Sequence, residues 1–300
     1  MGRLIKASLY KLSKDLTFRV VLIVGLAVAF ILVLFNFLFD FVFQNLSTFL
    51  GMAELSEEEA ESVNTILDVP LHFVNGPAML VSSSSPTNNY GIAIIINLVI
   101  FICLEFTQGT IRNKIIGGNS KLKIYLSLVL TGFILAGILM TFYLVVITLL
   151  GSLFGGFNLK ELVIINLSNF GFIDANYIVQ MLVIILLTYL SVVALTVFIT
   201  SLFRSVGPAI ALSIISLIVL NFIAGIFSSE ALPDQLKPVQ TAFKILDPFY
   251  ALEHGTISDP DDYHFLVPLD TFIPAIINNI VFTCGLSALG AFIFTRRDIK

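Results

Sequence analysis

Six long apolar runs constrain this chain more than any other feature. They lie at about 20–43, 90–107, 124–151, 177–202, 207–228 and 272–295, and each is rich in Ile, Leu, Val and Phe. A helix needs about 20 mostly apolar residues to cross the hydrocarbon core of a bilayer. Backbone polar groups have no water there, so each run must close its own hydrogen bonds as a helix. The expected fold is therefore an all-α polytopic membrane protein with six transmembrane helices. Composition points the same way. Of the 300 residues, 57% are apolar and 12% are charged, about half the charged share of a soluble domain. The whole chain, 1–300, reads as one transmembrane domain. The first run is too long for a signal peptide and lacks a small-residue cleavage site, so it is expected to stay in the membrane.

The loops set the expected orientation. Arg3, Lys6, Lys11, Lys14 and Arg19 precede the first run. Arg112, Lys114, Lys121 and Lys123 lie between the second and third, Arg204 between the fourth and fifth, and Arg296, Arg297 and Lys300 after the last. Of the 16 basic residues, only Lys160, Lys237 and Lys244 fall on the other side. Positive charge is retained in the cytoplasm, so both termini are expected there, in a multi-pass protein of a plasma membrane, read as bacterial. The two long external loops, 44–89 and 229–271, are acidic. They carry Glu54, Glu57, Glu58, Glu59, Glu61 and Asp68 in one and Glu230, Asp234, Asp247, Glu253, Asp259, Asp261, Asp262 and Asp270 in the other. A short helix is expected over 55–67, with Ser56 and Glu59 spaced as a capping box. Further short helices are expected over 232–255, broken at Pro233, Pro238 and Pro248.

Residues 3–16 form an amphipathic stripe. Leu4, Ile5, Leu9, Leu12 and Leu16 share one side, and Arg3, Lys6, Lys11 and Lys14 the other. This pattern predicts a helix in the headgroup layer over 1–17, with its apolar face in the acyl boundary and its basic face on anionic lipid.

The segment 105–127, EFTQGTIRNKIIGGNSKLKIYLS, is the most informative. Glu105 lies near the inner end of an apolar run, where an unpaired charge is costly, so it needs a partner or nearby water. Gly109 and Thr110 interrupt the run, and Thr110 is placed to cap a short helix containing Ile111, Arg112, Asn113 and Lys114. Gly117 and Gly118 can take the positive φ that stops it. A compact basic helix is thus expected within 108–123, presented to a cytoplasmic partner.

That run, from Glu105 through Gly109-Thr110-Ile111-Arg112-Asn113-Lys114-Ile115 and Gly117 to Ser120 and Ile124-Tyr125-Leu126-Ser127, resembles the signature of bacterial type 2 ABC exporter permeases. The chain is similar to permeases of bacitracin, lantibiotic and other peptide efflux or self-immunity. The basic start, the six-run layout and the C-terminal Phe292…Phe294-Thr295-Arg296-Arg297-Asp298-Ile299-Lys300 fit the same family. The long acidic first external loop departs from it.

The resemblance implies a dimer with a second permease copy or a homologous permease, paired with separate ATP-binding cassette subunits. It implies that residues 109–120 form a coupling helix on those subunits, with Glu105 in an adjoining polar relay. The implied activity is efflux of an amphipathic substrate such as a peptide, antibiotic or lipid-like molecule. The implied path runs along the first, second and fifth spans.

The chain lacks the G-x-x-x-x-G-K-[ST] run that holds nucleotide phosphates; Gly117-Gly118-Asn119-Ser120-Lys121 has the wrong spacing. ATP and magnesium are therefore expected on a partner subunit, no cofactor is expected on this chain, and the chain is not expected to be an enzyme. Its expected partners are protein and membrane lipid, with no nucleic acid. Among carboxylates the runs hold only Glu105 and Asp40, and they hold no histidine, against intramembrane catalysis. His72, His254 and His264 are too scattered for a metal site, and Cys103 and Cys284 read as small buried residues. Asn36, Asp40, Asn97, Asn221, Asn278 and Asn279 are polar within the runs. They serve either as interhelical hydrogen-bonding residues or as the lining of a substrate path. A non-transporting sensor or immunity scaffold, and an ion-driven secondary transporter, are the alternative functions.

Overall fold

The computed structural model describes residues 1–44, 74–83, 89–157, 162–166, 169–203, 205–228, 257–258 and 265–297. Its helices are α1 (Gly2–Lys14), α2 (Leu16–Gln44), α3 (Gly76–Ser82), α4 (Asn89–Thr107), α5 (Thr110–Ile116), α6 (Lys121–Gly155), α7 (Ala175–Leu202), α8 (Val206–Ser228) and α9 (Leu269–Arg296). Six of them, α2, α4, α6, α7, α8 and α9, are long and apolar enough to cross a membrane. The chain is an all-α polytopic membrane protein in its body. The helices run slightly past the ends of the apolar runs, because capping residues and polar first turns continue the helical hydrogen bonding. Ser120 is one such residue, its Oγ accepting from the backbone N–H of Lys123 at 3.4 Å. Pro208 sits in the first turn of α8, where a missing N–H costs nothing.

The helices divide into an inner and an outer set. In α4 and α7, 61% of the most apolar stretch is buried, against 22, 17 and 22% in α2, α8 and α9. The long α6 lies between these extremes and packs on α1, α2, α3, α4, α7 and α9. The interior is built from Ile94, Leu98, Phe101 and Ile102 of α4, Leu128, Leu135, Leu139 and Ile147 of α6, and Ile184, Ile185 and Val197 of α7. Tyr90 of α4 stacks on Tyr143 of α6 with ring centroids 4.4 Å apart. Tyr90 also lies against Gly25 of α2, where a Cβ would come within 2.5 Å of its ring. In the stretch 131–141, Gly132 makes the close approach, facing Leu98 and Val193; Gly137 has open space beside it.

Three features depart from what the sequence predicts. Helix α3, with Gly76, Pro77, Ala78, Met79 and Val81 buried, occupies part of the first long loop. It packs against the end of α6 farthest from α5. Its seven residues are too few to register as a span, and they bury their apolar surface against α6. Beside it, Leu162–Asn166 pairs antiparallel with Asn169–Phe172, and Ile257–Ser258 pairs with Phe265–Leu266. These short ribbons lie outside the spanning helices and are not among the elements expected from the sequence. Cys284 is exposed on α9, not buried as expected, while Cys103 is buried. The helices expected over 55–67 and 232–255, the three histidines and most acidic loop residues lie outside the described residues.

Candidate functional site at the α1–α5 end

Glu105 organises this end of the molecule. It follows Leu98, Phe101 and Ile102 along the buried stripe of α4 and is 1% exposed. Its carboxylate receives two ammonium groups. Lys114 Nζ of α5 lies 2.6 Å from Oε2, and Lys11 Nζ of α1 lies 3.1 Å from Oε1. Lys114 also donates to Ser8 Oγ of α1 at 3.3 Å. One buried carboxylate therefore joins three helices. The cost of burying its charge is offset by two charge-assisted hydrogen bonds. The partner required by the sequence is doubled, and one of the pair comes from 94 residues away.

Local chemistry fixes α5 in place. Helix α4 ends when Gly109 takes a left-handed conformation, φ 67°, and the same residue caps α5. Thr110, expected as the cap, is instead the first helical residue, and no side chain caps this end. The reason is geometric: a positive φ at Gly109 turns the chain immediately, leaving its own carbonyl to receive the N–H of Asn113 at 2.9 Å. The other end closes as a Schellman motif. Gly118 N–H donates to Ile115 O at 2.9 Å and Asn119 N–H to Lys114 O at 3.2 Å. Here only Gly118 has positive φ, 80°; Gly117 keeps φ −71° and is an ordinary C-cap. Asn119 Nδ2 adds a bond to Lys114 O at 3.0 Å.

The faces of α5 are distinct. Ile111 is buried at 1% exposure and anchors the helix in the core. Lys114 points inward to Glu105. Arg112, Asn113 and Ile116 face outward, with Leu122 and Lys123 exposed just beyond. An apolar pair flanked by cations is thus presented at the tip.

Two basic residues for which the sequence named no bonding partner brace the same end. Lys121 Nζ, at the start of α6, donates to Arg297 O at 2.8 Å and Thr295 O at 3.3 Å, closing the C-terminus of α9. Arg297 in turn donates through its guanidinium to Ser201 O of α7 at 2.5 Å. Basic residues at helix C-termini satisfy the last carbonyls and oppose the dipole. The signal was present in the sequence as Lys and Arg at run ends, but their targets are 96 or more residues distant.

The remaining polar candidates separate. Asn36 donates to Leu32 O of its own helix at 2.8 Å. Asp40, 6% exposed, accepts from Val74 N–H at 3.0 Å and holds the entry to α3. Asn97 is buried in α4, and among the described residues neither of its side-chain polar atoms has a hydrogen-bond partner. Asn221 is half-buried on α8 and Asn278 is buried on α9. Asn279 accepts from Ser191 Oγ of α7 at 2.7 Å and donates to Ala275 O at 3.0 Å. Ser191 Oγ also lies 3.0 Å from Thr283 Oγ1. The Asn279–Ser191 pair is an interhelical bond between α9 and α7, and Asp40 is a structural acceptor. Among the described residues no group of three or more metal-ligating side chains occurs. No protein-family model matches the chain, and no curated protein is similar enough in sequence to count as a match.

Proposed function

We propose that this chain is the membrane-spanning permease subunit of an ATP-driven ABC exporter of type 2. It works as a dimer in a bacterial plasma membrane with both termini cytoplasmic, and ATP and magnesium bind separate subunits. The observation that carries the reading is α5. It is a seven-residue helix between two spans, closed by glycine at both ends and bonded through Lys114 to a buried Glu105. A helix that served only to turn the chain would need neither a buried ion pair nor an outward pair of apolar residues beside cations.

The mechanism follows from those contacts. An ATP-binding subunit seated on Arg112, Asn113 and Ile116 pushes on α5. The load passes through Ile111 into the core and through Lys114 and Glu105 into α4. Lys11 extends the connection to α1. Closure of the partner subunits thereby moves α4 together with α1, and the first, second and fifth spans, α2, α4 and α8, reorient to open the path to the other side. The cargo class is an amphipathic peptide, antibiotic or lipid-like molecule.

Affinity isolation of the tagged chain from its native membrane tests this. Co-purification of a subunit carrying a phosphate-binding loop is expected, with at least tenfold loss on Arg112→Glu, a charge reversal at an interface. Recovery of no such subunit in several mild detergents would overturn the assignment. Recovery without ATP-dependent efflux from vesicles would favour the non-transporting alternative.

A further inference from the structure

The packing of α1 determines which of its faces is free. Ser8 and Leu12 are buried, with Leu4, Ile5 and Leu9 partly buried beside them. Four residues of the stripe expected to enter the acyl boundary, Leu4, Ile5, Leu9 and Leu12, therefore lie on the side of α1 that packs on α2 and α6, while Leu16 is exposed at the start of α2. The outward face carries Arg3, Lys6 and Lys14 around Tyr10, which is 68% exposed. These three cations form no ion pair among the described residues. No acid occurs in α1, and Asp15, the next residue, accepts the N–H of Thr17 at 3.1 Å. Lys11, at the edge between the two faces, is the one cation turned inward.

Helix α2 begins one residue after Asp15, and its exposed stripe is Leu16, Arg19, Val20 and Ile23. An arginine within an otherwise apolar exposed stripe marks the headgroup level, because its long stem lies along the apolar surface while the guanidinium reaches phosphate. The basic face of α1 ends five residues before that mark.

We propose that Arg3, Lys6, Lys14 and Arg19, with Tyr10 among them, form a docking surface for anionic phospholipid headgroups of the adjacent leaflet. The phosphates lie between the cations and the phenol ring rests at the interface. Adhesion comes from charge and not from insertion of the apolar side of α1, which the protein already occupies. The surface is therefore selective for lipid charge and sensitive to salt. This inference is independent of the transport reading.

The chain contains no tryptophan, so Tyr10→Trp introduces a single indole. The full chain with this change is placed in phosphatidylcholine vesicles. These contain equal fractions of either brominated phosphatidylglycerol or brominated phosphatidylcholine. Stronger quenching by the glycerol lipid is expected, reflecting several-fold local enrichment. The preference should fall with each of Arg3, Lys6 and Lys14 changed to Gln and vanish when all three are changed, and it should weaken in high salt without any charge substitution. Equal quenching by the two lipids at low salt overturns the proposal. So does an indole that neither lipid quenches and that a co-reconstituted ATP-binding subunit shields, which would assign the face to a protein.

Discussion

The two ends of the bundle are held together by opposite means. At the α1–α5 end, long side chains reach across gaps: Lys11, Lys114 and Glu105 join three helices, and Lys121 and Arg297 close two more. At the other end, side chains are missing where the backbones meet. Gly151 faces Met79, Gly155 faces the carbonyl of Val74, and Gly76 N–H donates to Gly156 O at 3.1 Å. A contact made by flexible side chains can re-form after a small movement. A contact made by backbone against backbone permits almost none. The α1–α5 end is thus built to shift while remaining connected, and the α3 end to hold its place.

Substitutions can break this contrast. Glu105→Ala should cost most, about 4 kcal/mol, because it leaves Lys114 buried beside no counter-charge; a thermal-unfolding series in one detergent measures the loss. Gly155→Val comes next at about 3 kcal/mol, since its side chain would overlap the Val74 carbonyl and α3 must move away. Limited proteolysis between residues 74 and 83 should then accelerate, and unchanged cleavage would show that α3 is not held by this contact. Gly118→Ala should lose about 1 kcal/mol through the left-handed φ alone. On the proposed function it should also reduce capture of an ATP-binding subunit by a larger factor than an alanine at the exposed Gly117, which has negative φ. Lys11→Gln should be mildest, at about 0.5 kcal/mol, because that lysine is one-third exposed and water screens its charge. A Lys11→Gln effect equal to that of Lys114→Gln would overturn the ranking of the two ammonium groups.

The features legible in the sequence were those that are periodic or local. The six spanning helices follow from unbroken apolar length, and α5 from the glycines at 109 and 117–118. The division of labour between Gly117 and Gly118 was not legible, because either can take a positive φ and only the Schellman geometry selects the second. The apolar stripe of α1 was legible, but its destination was not. The same spacing serves a helix that enters lipid and one that packs on α6. Lys11 and Lys6 belong to the same basic pattern, and only the position of Glu105 distinguishes the inward one. Helix α3 escaped notice because seven residues cannot span a bilayer, and its burial depends on glycines 72 or more positions further along the chain.

Helix α6 is 35 residues long, about 52 Å at 1.5 Å per residue, while a bilayer with its headgroups is about 40–45 Å thick. It therefore projects from the membrane or tilts within it. It begins directly after the loop that closes α5 and carries the α3 contacts at its far end. Treated as a stiff rod pivoting at one end, it converts a tilt of about 5° into a displacement of about 4–5 Å at the other, close to the pitch of one helical turn. With the α3 end held by backbone contacts, that step falls at the end beside α5 and about half of it reaches the middle of the helix, so length alone concentrates the movement where side chains such as Lys121 can re-form their contacts.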